Sequence, residues 1–163
     1  MKTKIVIILL LVTFPVLAIS KNSEYIGYKH KGVLYGETLQ NGAKDLGGGL
    51  TSNENYGVTR FTKGKTFMLW LEKITGRDSK GVPSWEVKDV LSFDNLKKNH
   101  SFMFSYSSSC KRFGKENLDM IVMTELLPKT KTYKVEKAWT ANIKKQKFEK
   151  ISTNGIRCEY AAP

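Results

Sequence analysis

The sequence has few of the residues from which catalytic and metal sites are most often built. Among its 163 residues there are two histidines, His30 and His100, and two cysteines, Cys110 and Cys158. Neither histidine lies in a His-Glu-x-x-His segment, no Gly-x-Ser-x-Gly elbow occurs, and the cysteines form no Cys-x-x-Cys pair. The readable metalloprotease and hydrolase motifs are therefore excluded. The sequence predicts no catalytic residue, no metal site and no cofactor.

The chain also lacks an apolar run long enough to span a membrane, which needs about 20 residues. Its apolar stretch at 5–14 follows Lys2 and Lys4 and is broken by Pro15, with small residues at Ala18 and Ser20. This order is typical of a cleaved secretory signal. We therefore expect a signal peptide at 1–20, cleaved after Ala18 or Ser20, no transmembrane segment in the mature chain, and a secreted or periplasmic protein.

In an oxidising compartment, an even number of cysteines usually indicates a disulfide. We predict a Cys110–Cys158 bridge, which would stabilise the fold by about 4 kcal/mol in the chain-entropy description. The alternative is a Cys110 nucleophile with His100 as its base, which would require a free thiol of low pKa. A second cysteine in a secreted chain argues against that alternative.

Strand periodicity is clearest at 65–93, which contains two alternating segments joined by a polar turn. On the first segment Phe67, Leu69 and Leu71 are predicted to share one face, with Met68, Trp70 and Ile74 opposite. On the second segment one face is predicted to carry Trp85, Val87, Leu91 and Phe93. The turn between them is rich in the Gly, Asp and Pro residues that turns require.

Further short strands are predicted on both sides of this hairpin, at 33–35, 56–61, 101–106, 118–127, 132–141, 148–151 and 156–160. No segment combines a helix start with a sustained period of 3.6 residues. We therefore expect one all-β domain at 21–163, either a small OB-like barrel or a sandwich of short antiparallel strands. In the barrel version, 65–142 forms the barrel and 21–64 is a glycine-rich extension. The glycines at 47–49 match neither phosphate-binding fingerprint and predict a flexible loop.

Charge is the strongest functional signal in the chain, whose formal net charge is +12. The segment 129–163 holds nine basic and three acidic side chains. We predict that its lysines form a basic ribbon that binds an anionic polysaccharide or lipid head groups. Nucleic acid is disfavoured, because the charge comes from 23 lysines and only four arginines and because the chain is expected to be secreted. The predicted binding residues are Lys129, Lys131, Lys134, Lys144, Lys145 and Lys147.

Three other interpretations stay open at this point. The lysines also fit a solvated face that keeps the protein soluble. The turn at 75–83 could present a preorganised contact to a protein partner, as in an inhibitor of a hydrolase. The acidic residues Glu86, Asp89 and Asp94 could serve an enzyme of the glycosidase type, whose chemistry depends on the distance between two carboxylates.

The C-terminal third carries one resemblance. The segments KAWTAN at 137–142, KFEKI at 147–151 and GIRC at 155–158 resemble a C-terminal pattern of small secreted bacterial proteins that remain uncharacterised. The resemblance implies secretion and a paired cysteine, and it implies no activity.

Overall fold

The computed structural model describes residues 23–104, 110–127 and 132–159. Within these ranges the chain forms a short 3₁₀ turn, Ser23–Tyr25, and eleven β-strands. The strands are β1 (Lys29–Lys31), β2 (Lys44–Leu50), β3 (Tyr56–Lys63), β4 (Thr66–Arg77), β5 (Pro83–Asp94), β6 (His100–Phe104), β7 (Cys110–Arg112), β8 (Met120–Leu127), β9 (Thr132–Asn142), β10 (Lys147–Ile151) and β11 (Ile156–Cys158). The expected signal peptide at 1–20 lies outside the described residues.

The strands form two larger sheets and one small ribbon, and the strand pairings among the described residues are all antiparallel. The first sheet has the order β1-β5-β4-β3-β2, the second has the order β10-β9-β8-β6, and β11 pairs with β7. The all-β class is therefore confirmed. Of the two predicted architectures, the OB-like barrel at 65–142 does not form, because the described strands belong to two open sheets and a small ribbon and not to one closed sheet.

Apolar side chains from both sheets meet in one core, as in a sandwich. The first sheet contributes Tyr56, Val58, Leu69 and Leu71, and the second contributes Phe102, Phe104, Ile121, Met123, Trp139, Ala141 and Phe148. A hydrogen bond from the Phe148 amide to the Asp89 carboxylate, 2.7 Å long, joins β10 to β5 across this interface. Trp139 is thus a core residue.

The outer face of the first sheet is covered by the N-terminal segment. Tyr25 and Leu39 pack there on Phe61, Met68 and Trp70, and the Tyr25 and Trp70 ring centres lie 5.1 Å apart. The segment 21–64, expected to be an extension, instead supplies β1, β2 and β3 to the main sheet. The strand predicted at 33–35 is wrong: Leu34 and Tyr35 are exposed and lie outside the strands.

The disulfide between Cys110 and Cys158 joins β7 to β11, which confirms the predicted pairing. The β7–β11 ribbon covers the outer face of the second sheet, where Cys110 and Ile156 pack on Met120, Val122 and Ala138. The bridge closes a sequence separation of 48 residues.

The predicted faces of the central hairpin are correct for β4 and partly wrong for β5. Phe67, Leu69 and Leu71 face the inter-sheet core, and Met68 and Trp70 face the outer side. On β5, however, Leu91 and Phe93 face the inter-sheet core while Val87 packs on the outer side. The reason is a bulge: Leu71 pairs with Asp89 and Glu72 with Val87, so Lys88 is an extra residue that reverses the alternation.

Candidate functional sites

Three of the predicted lysines lie together at the tip of the β9–β10 hairpin. Lys144 and Lys145 are in the turn, Lys147 begins β10, and all three are exposed. Gln146, in the same turn, donates a 2.9 Å hydrogen bond from Nε2 to the hydroxyl of Tyr56 on β3. Since Tyr56 belongs to the first sheet and the hairpin to the second, this bond fixes the tip against the edge of the sandwich.

A row of side chains in register leads from the tip across the first sheet. In the strand register, Lys29 lies opposite Glu86, Glu86 opposite Lys73, and Lys73 opposite Tyr56, on four neighbouring strands. The Lys73 Nζ lies 5.9 Å from the centre of the Tyr56 ring. At about 4.8 Å between strands, the row spans roughly 14 Å. We call the surface formed by Lys29, Lys73, Lys88, Lys144, Lys145 and Lys147 the basic end.

Two of the six lysines at the basic end are in ion pairs. Lys88 pairs with Glu86, and the Lys145 Nζ lies 2.7 Å from Glu149 Oε1. Hydrogen bonds from these lysines are the largest cause of the lowered pKa values of the two glutamates. Lys29, Lys73, Lys144 and Lys147 have no ion-pair partner in the part of the chain that the structure describes. The basic end therefore presents uncompensated positive charge.

The other predicted lysines do not belong to this surface. Lys134 lies near the opposite end of β9, eight residues or about 26 Å from Asn142 at ~3.3 Å per residue. Its ammonium lies 2.6 Å from Glu136 and 3.8 Å from Glu125. Lys129 and Lys131 lie outside the described residues.

The acidic residues considered for an enzyme are occupied by structural contacts. Glu86 pairs with Lys88, Asp89 accepts the Phe148 amide, and Asp94 accepts a 2.6 Å hydrogen bond from the Thr66 hydroxyl. The disulfide leaves Cys110 without a thiol, so the cysteine nucleophile is excluded. Among the described residues, no group of three or more His, Cys, Asp or Glu side chains could hold a metal ion.

The loop between β4 and β5 is held by its own hydrogen bonds. One Asp78 carboxylate oxygen accepts the amides of Lys80 and Val82, at 2.9 and 3.0 Å, and Arg77 donates to the Gly81 carbonyl at 3.0 Å. The loop at 75–83 is therefore ordered before it meets any partner.

A buried ionisable pair that the sequence did not reveal lies on the outer face of the first sheet. The Nε2 of His30 is 2.6 Å from Oε1 of Glu72, and the side chains are 7% and 1% exposed. His30 Nδ1 lies 2.8 Å from the Lys31 carbonyl, which can only accept, so Nδ1 carries a hydrogen. One further proton is then shared between Nε2 and the Glu72 carboxylate.

The surroundings of His30 act on its pKa in opposite directions. Burial of the ring is the largest single effect and lowers the pKa. The hydrogen bond and charge of Glu72, the Lys31 carbonyl and the charge of Asp45 together outweigh burial, so the pKa of His30 is raised above 6.5. The raised pKa of His30 therefore favours the imidazolium–carboxylate form of the pair.

His30 and Glu72 line a cavity of about 250 Å³ together with Asp45. Its floor is the bare backbone of Gly48 and Gly57, and Trp85 and Tyr35 are among its walls. A second hollow of about 590 Å³ adjoins it and shares His30 and Val33. The sequence feature that could have indicated this site is Glu72, because it is a charged residue that continues the buried outer face of Met68 and Trp70. Nothing in the sequence indicated that His30, 42 residues earlier, is its partner.

Comparison of the chain with protein-family models, with curated proteins and with solved structures finds no match. Across the described ranges, no helix is both long enough and apolar enough to cross a membrane.

Proposed function

We propose that the protein is a secreted or periplasmic, non-enzymatic binding module that holds an anionic polymer on its basic end. The observation that carries this proposal is the hydrogen bond between Gln146 and Tyr56, because it places the lysines of the hairpin tip beside Lys73 of the other sheet. Lysines fixed on two sheets form one surface of defined shape, whereas lysines on separate flexible turns would not.

The chemistry of the surface favours repeated anionic groups over a single small anion. Lys29 lines the hollow of about 590 Å³, and the other five lysines extend along one end of the sandwich without lining that hollow or the cavity beside it. Each ammonium is a hydrated point charge that tolerates many anion geometries. A polymer with regularly spaced carboxylates, sulfates or phosphates, such as an acidic polysaccharide, fits this arrangement better than a ligand that must be bound from all sides.

The test is retention on a sulfated polysaccharide column eluted with increasing salt. We compare the wild type with the triple variant Lys73→Gln, Lys144→Gln and Lys147→Gln, which removes three of the unpaired charges. The matched control removes three exposed charges at the opposite end of β5: Lys65→Gln, Lys97→Gln and Lys98→Gln. Both variants have the same net charge.

We expect the basic-end variant to elute at clearly lower salt than the control, because each lost contact to the polymer lowers the number of released counterions by about one. Equal elution of the two variants would mean that only net charge matters. The lysines would then be a solvated coat, and the proposal would be wrong.

A second candidate function is supported by the ordered loop at 75–83. The Asp78 and Arg77 hydrogen bonds hold it in one conformation, which lowers the entropy lost when a rigid loop meets a protein partner. A variant with 79–81 replaced by three other polar residues tests it. Capture of the same hydrolase from extracellular extract by the wild type and not by this variant would support an inhibitor, and equal capture by both would exclude the loop.

A further inference from the structure

We propose that the cavity on the outer face of the first sheet binds a small organic cation, whose ammonium group lies between Asp45 and Glu72 and against the ring of Trp85. This site is separate from the basic end and does not depend on the proposed function. The proposal rests on the shape of the cavity, on its buried carboxylates and on its aromatic walls.

The cavity exists because glycines leave the outer face of the sheet bare on the neighbouring strands β2 and β3. A side chain at Gly48 would bring its Cβ to 2.4 Å from the Val58 carbonyl oxygen, so only glycine fits there. A Cβ at Gly57 would lie 3.2 Å from the Trp85 ring, which shows that this ring extends across the glycine. The volume of about 250 Å³ is just below the usual range for ligand pockets, so the ligand is small.

The charged side chains that line the cavity are two carboxylates and one imidazole. Glu72 and His30 pair with each other, so their charges offset. Asp45 is buried, and one of its carboxylate oxygens accepts a hydrogen bond from the Gly47 amide. Among the residues that the structure describes, no lysine or arginine lines this cavity. Nearby Arg60 instead donates to the Gly47 carbonyl at 3.1 Å, and its guanidinium lies over the Phe104 ring.

Buried carboxylates are normally paired with a cation, because an unpaired charge away from water is unfavourable. Burial, the largest effect, and the charge of Glu37 together raise the pKa of Asp45 by more than the Gly47 amide, His30 and Arg60 lower it. The protein itself therefore leaves this carboxylate incompletely compensated. A positive group in the cavity would provide the missing charge.

The aromatic walls indicate which kind of cation fits. Trp85 and Tyr35 both line the cavity, and Tyr35 is 78% exposed at its entrance, with a ring carbon 3.4 Å from where a Gly47 Cβ would be. Aromatic faces attract ammonium groups, most strongly tryptophan, and a methylated ammonium also buries apolar surface against them. A bare metal ion would gain little from these rings.

The experiment measures the dissociation constants of the purified protein for methylammonium, tetramethylammonium and choline by calorimetry. The control ligand is 3,3-dimethylbutan-1-ol, which has the shape of choline without its charge, and sodium chloride keeps the ionic strength constant. We expect at least one cation to bind, and choline to bind about tenfold or more tightly than its neutral analogue.

Two variants locate the site. Asp45→Asn keeps the acceptor for the Gly47 amide and removes the charge, and Trp85→Leu removes the aromatic face. Each is expected to weaken cation binding about tenfold or more. Glu116→Gln, which removes an exposed charge elsewhere, should bind normally. If Asp45→Asn does not fold, the result for Trp85→Leu decides. The proposal is overturned if no cation binds, if choline and its neutral analogue bind equally, or if the folded variants bind as the wild type does.

Discussion

Replacing Glu72 with Gln probes the buried pair with His30, because it removes the negative charge and keeps the size of the side chain. The glutamine amide can still donate to Nε2 of a neutral imidazole, so the hydrogen bond survives when His30 is uncharged. The two proteins should therefore differ in how their stability depends on pH, and much less in their stability at high pH.

The direction in which stability changes with pH follows from the pKa of His30. In the wild type this pKa is raised above 6.5, so the pair's contribution to stability is fully present below pH 6.5 and is lost as the pH rises through the raised value. In the variant the raising effect of Glu72 is gone, while burial, the largest single effect, still lowers the pKa of His30. The variant therefore lacks the stabilisation that the wild type has below pH 6.5, and its stability relative to the wild type falls as the pH drops through the raised pKa of His30.

The difference in stability between the wild type and Glu72→Gln can be worked out for pH 5. Keeping a histidine neutral 1.5 pH units below 6.5 costs about 2 kcal/mol, at about 1.36 kcal/mol per unit. This cost applies in full when the imidazole of the variant stays neutral at pH 5, so we expect a difference on the order of 2 kcal/mol there. At about 2–4 °C per kcal/mol for a chain of this size, the variant should melt roughly 4–8 °C lower at that pH.

The assay is urea unfolding of both proteins between pH 5 and pH 9. The control is Glu149→Gln, which removes a partly exposed glutamate whose pKa is lowered by Lys145, so that its titration lies below this range. We expect the Glu72→Gln difference to grow toward pH 5 and the Glu149→Gln difference to stay flat. A Glu72→Gln difference that is independent of pH would refute the imidazolium–carboxylate pair.

Three further predictions concern stability and order. Replacing Cys110 and Cys158 together with Ala should lower the free energy of unfolding by about 4 kcal/mol, since the bridge spans 48 residues, and urea unfolding with and without reductant checks this. Gly48→Ala should cost about 1–3 kcal/mol, because its Cβ must displace the β3 backbone, and a thermal shift no larger than that of Gly76→Ala, where nothing lies nearby, would contradict it. Asp78→Ala should cost up to about 2 kcal/mol and lower the NMR order parameters of Lys80 and Val82, since two hydrogen bonds are lost, whereas unchanged order parameters would show that the turn does not need them.

The parts of the fold that the sequence predicted are those where side chains alternate without interruption. On β4 the period of two held from Phe67 to Leu71, so both of its faces were predicted correctly. At Lys88 and Glu136 a bulge adds one residue, and every side chain beyond it changes face. Val135 and Trp139 are separated in this way, since Val135 packs under the disulfide-linked ribbon and Trp139 in the inter-sheet core. No residue type marks such a bulge in advance.

The N-terminal part was harder to predict, because its strands are short and contain glycines. β1 has three residues and β2 contains 47–49, so neither shows a hydrophobic period. Their role comes from pairing with long strands elsewhere in the sequence. The His30–Glu72 pair and the cavity beside it arise from this long-range pairing, and they could not be derived from local patterns.

The lysine prediction shows the same limit in the functional site. Counting charges along the sequence located the excess positive charge in the last third of the chain. It also grouped Lys134 with Lys144, whereas in the structure Lys134 lies away from the hairpin tip and forms ion pairs with Glu125 and Glu136. It also could not include Lys73, which joins the hairpin tip only through the contact between the two sheets at Tyr56 and Gln146.

The most direct measurement of the central claim is an NMR titration of the wild-type protein with a short sulfated oligosaccharide at two salt concentrations. The account predicts chemical-shift changes at Lys73, Lys144, Gln146 and Lys147, together with Tyr56, and their loss at high salt. No comparable change is expected at Lys65, Lys97 and Lys98, which are exposed at the other end of the sandwich. Shifts of similar size at both ends, or shifts confined to Lys134 and its neighbours, would contradict the assignment of the basic end as the binding surface.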